Sequence, residues 1–130
     1  MKKTLLFFFS LLTISAFADT LVLNNQTPYP DKKTKIAIQW ASSAKDINEA
    51  NTALIQGSKL DSSTIQMLSQ SKKVTLTIPE KAEYFRILVW TKDEPNPDLH
   101  TNWVDIVPGK TYTLKTDQLI PTVLAVGMGC

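Results

Sequence analysis

Few side chains in this sequence could do chemistry, and their types and spacing narrow what that chemistry would be. The chain has a single histidine, His100, and a single cysteine, Cys130, its last residue. A hydrolytic serine needs a general base held by a third group, and no serine here sits in a Gly-x-Ser-x-Gly elbow. Cys130 lacks the surrounding backbone that lowers a thiol pKa and fixes its position, so a Cys130–His100 pair is an equally poor nucleophile. The segment Thr91-Lys92-Asp93-Glu94-Pro95-Asn96-Pro97-Asp98-Leu99-His100 gathers oxygen ligands beside an imidazole, which makes Asp93, Asp98 and His100 the only candidate metal ligands. Pro95 and Pro97 stiffen it, and the spacing departs from the EF-hand pattern, so a solvated turn is the better reading and no metal or cofactor is expected. Asp93, Glu94, Asp98 and Asp105 could act as a hydrolytic pair if two of them were held about 5–10 Å apart across a cleft. A small secreted hydrolase using this acidic region is therefore one alternative, although the expectation is a protein that is not an enzyme.

Aromatic residues supply the stronger constellation. If Tyr84–Thr91 and Trp103–Val107 form a hairpin, a simple register sets Trp90 opposite Trp103 and Leu88 opposite Asp105, with Arg86 diagonal to Asp105. Val104 and Ile106 would then face the core, which turns Trp103 and Asp105 to the other side. Two tryptophans beside Arg86 and Asp105 would form a binding patch for a protein or a carbohydrate, because rigid aromatic area with an orienting charge suits recognition. The competing placement buries both tryptophans under residues 42–71 as ordinary core.

The elements that must position these groups are mostly strands. Apolar and polar residues alternate over Thr20–Leu23, Lys35–Trp40, Val74–Ile78 and Thr111–Thr116, and Tyr84–Thr91 is apolar on both faces, as a central strand would be. Trp103–Val107 and Thr122–Val126 complete a set of about seven. Pro108-Gly109 suits a type II turn, since glycine accepts the positive φ that turn requires. Between 42 and 71 the alternation fails. There Ser43 can cap a helix with Asp46 at its third position, Ile47, Ala50, Leu54 and Ile55 form a stripe, and Gly57 ends it. A second helical turn is expected over Thr64–Leu68, two irregular strands being the alternative for the whole region.

The stretch Ile106-Val107-Pro108-Gly109-Lys110-Thr111-Tyr112-Thr113-Leu114 resembles the corner of fibronectin type III domains, in which a tyrosine anchors the turn through its hydroxyl. Ile36-Ala37-Ile38-Gln39-Trp40 is similar to the strand of that family that ends in a core tryptophan. The resemblance implies an antiparallel immunoglobulin or fibronectin type III-like β-sandwich with a helical or irregular insertion after Trp40. It implies no activity.

Residues 1–18 read as a cleavable signal peptide: Lys2-Lys3, an apolar run from Leu5, then Ala16-Phe17-Ala18. The run is too short to span a bilayer, which takes roughly 20 apolar residues. Residues 19–130 then form one exported domain, periplasmic or secreted, with no membrane span. Of the 14 basic residues, Lys2 and Lys3 leave with the signal, so 12 remain against 12 acidic ones. A surface without net positive charge does not attract a phosphate backbone, which argues against nucleic acid. In an oxidising compartment Cys130 is free to form an intermolecular disulfide, and thus a homodimer. The second alternative follows from this: a structural subunit assembled through Leu119–Cys130. The leading expectation is a non-catalytic binding module.

Overall fold

The computed structural model describes residues 19–70 and 72–123; the segment read as a signal peptide and Cys130 lie outside the described residues. Nine strands form among them: β1 (Thr20–Asn25), β2 (Lys35–Ala41), β3 (Ile65–Met67), β4 (Lys73–Thr77), β5 (Tyr84–Trp90), β6 (Leu99–His100), β7 (Val104–Asp105), β8 (Thr111–Leu114) and β9 (Ile120–Pro121). They make two packed sheets, one ordered β4-β1-β8 and the other β3-β2-β5-β6-β9, with β7 also paired to β5. Pairing is antiparallel except between β1 and β8.

The alternation that defines the strands also builds the core. Leu21, Leu23, Leu76 and Leu114 of the first sheet meet Ile36, Ile38, Trp40, Phe85, Ile87 and Val89 of the second. Burial of such side chains stabilises by about 1.5–3 kcal/mol each, which lets a chain without internal disulfides hold together by packing. Phe85 sits edge-on to Tyr112, with ring centroids 5.0 Å apart, and so ties the two sheets through an aromatic contact.

A helix, α1 (Ala44–Gln56), adds a third layer on the outer face of the second sheet. Its limits follow from the expected caps: the Ser43 hydroxyl accepts from the Asp46 amide at 3.2 Å, and Gly57 closes the helix at φ 68°. Leu54 is its buried anchor, packed with Leu60 and Leu88, whereas Ile55 of the expected stripe stays exposed.

Two local expectations change. Thr64–Leu68 is not a helical turn, because Ile65–Met67 pairs with Gln39–Ala37 as an edge strand after a 3₁₀ turn at Ser62–Thr64. The last strand forms at Ile120–Pro121, held by the β6 edge, and Thr122 and Val123 are helical, so the strand expected over Thr122–Val126 does not begin where it was placed; its residues 124–126 lie outside the described residues. Pro108-Gly109 does make the type II turn, with Gly109 at φ 81° and Lys110 N–H bonded to Val107 C=O at 3.1 Å. The strands on either side of it, however, belong to different sheets. β8 runs parallel to β1 because the turn docks on β1, where Gly109 N–H donates to Thr20 C=O at 2.7 Å. The Tyr112 hydroxyl accepts from Val107 N–H at 2.7 Å and donates to Asp105 C=O at 2.8 Å, which is the bonding of a tyrosine corner.

Candidate functional site: the Arg86 and Trp103 cavity

Three elements converge on Arg86. In β5 it lies between Phe85 and Ile87, which face the core, so alternation sends its side chain outward beneath α1. The helix contributes Asn51, one turn after Ile47 and one before Leu54 on the same inward stripe. The third contribution comes from a change of register. Leu88 pairs with His100 and Val89 with Leu99, but Phe85 pairs with Val104 and Tyr84 with Asp105. Arg86 and Ile87 therefore face three residues, Thr101, Asn102 and Trp103. This is a β-bulge, a device that re-aims a side chain. The buried Thr101 hydroxyl holds it by accepting from Ile87 N–H at 2.9 Å, while Thr101 N–H donates to Ile87 C=O at 3.0 Å.

Arg86 is 1% exposed as a residue, and its guanidinium is bonded on three sides: Nε to Gln39 Oε1 at 2.8 Å, Nη1 to Asn51 Oδ1 at 3.0 Å and Nη2 to the Ala50 carbonyl at 3.3 Å. Its carbon lies 4.6 Å from the centroid of the Trp103 ring, a cation–π contact, and the indole N–H donates to the same Asn51 Oδ1 at 2.9 Å. None of these partners is charged. Among the described residues the only ion pair within 4.0 Å is Lys45–Glu49 on the helix surface, so Arg86 has no carboxylate partner. Burial lowers its pKa to about 10, which leaves it a cation at neutral pH.

Beside the guanidinium is a cavity of about 200 Å³, walled by Arg86, Trp103, Asn102 and His100 on one side and by Leu54 and Ile55 on the other. Burial, and secondarily the Arg86 charge, holds His100 below its ordinary value of 6.5. Its Nδ1 lies 3.3 Å from Thr122 Oγ1.

The sequence-derived patch is divided. Arg86 and Trp103 come together, but Trp90 pairs across the sheet with Lys35 and does not face Trp103. The cause is the loop between β5 and β6. Asp98 accepts from both the amide and the hydroxyl of Thr91, and its own N–H donates to Val89 C=O at 3.0 Å, so the chain returns at Leu99, four residues before the expected start of the returning strand. Trp90 instead donates its indole N–H to Pro95 C=O at 3.1 Å and packs against the Leu54–Leu60–Leu88 cluster. Asp105 is exposed opposite Tyr84, beside the tyrosine corner, without an ion pair to Arg86. Asp93 and Glu94 are exposed in the loop, and Asp98 is committed to closing it. Among the described residues no three acidic, histidine or cysteine side chains cluster to hold a metal.

Periodicity overlooked Asn51, Gln39 and Thr101. The available signal was polarity out of place: Asn51 interrupts an apolar helix stripe, and Gln39 a strand that is otherwise apolar from Ile36 to Ala41. No protein-family model matches the chain, and no curated protein matches it significantly.

Proposed function

We propose that the chain is an exported, non-catalytic recognition domain that takes its ligand in the cavity beside Arg86 and Trp103. The observation that carries this reading is a cation 1% exposed, without an anionic partner among the described residues, at the wall of a cavity. Removing a charge from water costs several kcal/mol, and well-packed apolar residues serve structure alone as well or better. Retaining the charge there, stacked on an indole, suits a ligand that supplies what the protein does not. At about 200 Å³ the cavity has room for a small molecule or for the tip of a protein or carbohydrate chain.

The charged start, apolar run and Ala16-Phe17-Ala18 ending support export to the periplasm or beyond. N-terminal sequencing of the mature protein should begin at Asp19; intact Met1 in the exported fraction would contradict it. Neighbouring β1 and β4 in one sheet, and β2, β5 and β6 in the other, support a sandwich related to the immunoglobulin and fibronectin type III kinds. So does Trp40, buried on β2, while the parallel β1–β8 pair is a departure from them.

A thermal-shift screen of neutral sugars, short peptides and small organic acids tests the binding role. One class should stabilise the wild type and Trp90→Ala but not Trp103→Ala, by about 2.7 kcal/mol when ligand is at 100 times its Kd. Stabilisation by none of them would overturn the reading.

A further inference from the structure

We infer that the ligand group seated at Arg86 is a carboxylate, carried by a small monoanion with an apolar body. This rests on the recognition reading above and goes further by assigning the chemistry. A guanidinium has five N–H donors. Three are used, on Gln39, Asn51 and Ala50, and each Nη nitrogen retains a second N–H. A carboxylate is the ligand group that brings a guanidinium both the missing negative charge and an acceptor for a further charge-assisted hydrogen bond.

The surroundings restrict it further. Among the described residues Arg86 is the only basic residue lining the cavity apart from His100, whose pKa burial holds below the ordinary 6.5. One fixed positive charge balances one negative charge, and a second carboxylate would enter without a partner. Leu54, Ile55 and the Trp103 ring form the apolar part of the wall, against which an apolar body would lie, with Asn51 and Thr101 among the polar residues of the lining. Asn102, exposed at the rim, adds an amide that can bond to a second carboxylate oxygen. The stacked Trp103 ring and the Asn51 bond fix the guanidinium before a ligand arrives, which reduces the ordering cost of binding.

His100 is the only histidine, so its ring signals in an NMR titration report on this cavity without assignment ambiguity. With butyrate and benzoate as probes, and butyramide and benzamide as neutral counterparts, the acids should shift those signals saturably, with Kd of about 1 mM for molecules of this size. The amides should bind at least about tenfold more weakly, the loss of a charge-assisted hydrogen bond. Because replacing Arg86 could unfold the chain, the decisive variant is Asn51→Asp. It places a carboxylate where the Asn51 oxygen stands, 3.0 Å from Nη1, and should abolish acid binding in a folded protein. Acid binding that survives unchanged in Asn51→Asp overturns the inference, as does silence of His100 toward both acids. Should the amides or a neutral sugar shift His100 and the acids not, the carboxylate assignment fails while recognition at this cavity stands.

Discussion

Arg86 and Trp103 stack across a β-bulge, the guanidinium carbon 4.6 Å from the indole centroid, and both are bonded to the one side-chain oxygen of Asn51. Strand, returning strand and helix thus meet at a single amide. The bulge makes this possible: without its extra residue, alternation would give the residues following Thr101 the opposite facing.

The first prediction concerns that bulge. Thr101→Val keeps the shape and removes the hydroxyl that satisfies Ile87 N–H, a donor inside a buried strand. Leaving it unpaired should cost about 1–3 kcal/mol in urea unfolding. Thr101→Ser, which keeps the hydroxyl, should cost clearly less; equal losses would mean that the methyl group, not the bond, matters.

The second concerns the corner. Tyr112→Phe retains the ring packed on Phe85 and deletes the two hydroxyl bonds to Val107 and Asp105. Unfolding free energy should fall by about 1–2 kcal/mol, two exposed bonds at the modest net value of each. An unchanged stability would show the corner to be incidental to the crossing from β7 to β8.

The third is a pH dependence. His100 has its folded pKa pushed below the ordinary 6.5, chiefly by burial and then by Arg86. Between the folded and unfolded values the unfolded chain binds more protons, so stability rises with pH. The contribution is complete above pH 6.5 and is lost as pH falls through the lowered folded value. Asp31, through its bond from the Lys33 amide, and Asp61, through its bond with Ser63, are held below 3.8 and titrate outside this window. Melting curves of His100→Gln should therefore be flatter than wild type just below pH 6.5; identical slopes would contradict the burial of His100.

What the sequence made legible depended on how local the cause was. The helix from Ser43 to Gly57 and the type II turn at Pro108-Gly109 could be read because caps and positive φ are decided within a few residues. The hairpin register could not, since it depends on Asp98 reaching back to Thr91 and on a bulge at Thr101, neither of which alters hydrophobic periodicity. That error paired Trp90 with Trp103. The sequence leaves Trp90 and Trp103 either on a surface patch with Arg86 or under residues 42–71; the second placement is the one found, Trp90 packing against Leu54 and Leu60 and Trp103 bonding to Asn51. Asn51 and Gln39 were the missing clues: polar residues at inward positions require a buried partner, and Arg86 was available.

Arg86 is a buried cation that lacks a counter-charge among the described residues, and Asn51→Asp tests this most directly. The new carboxylate would accept the same bonds from Arg86 and Trp103 that Asn51 accepts now, so shape and hydrogen bonding are preserved and only charge is added. The thermal midpoint at pH 7 should rise, by about 4–8 °C for each 1 kcal/mol gained in a domain of this size. A midpoint equal to or below that of the wild type would mean that the site is already neutralised or cannot use an anion, and would contradict the account.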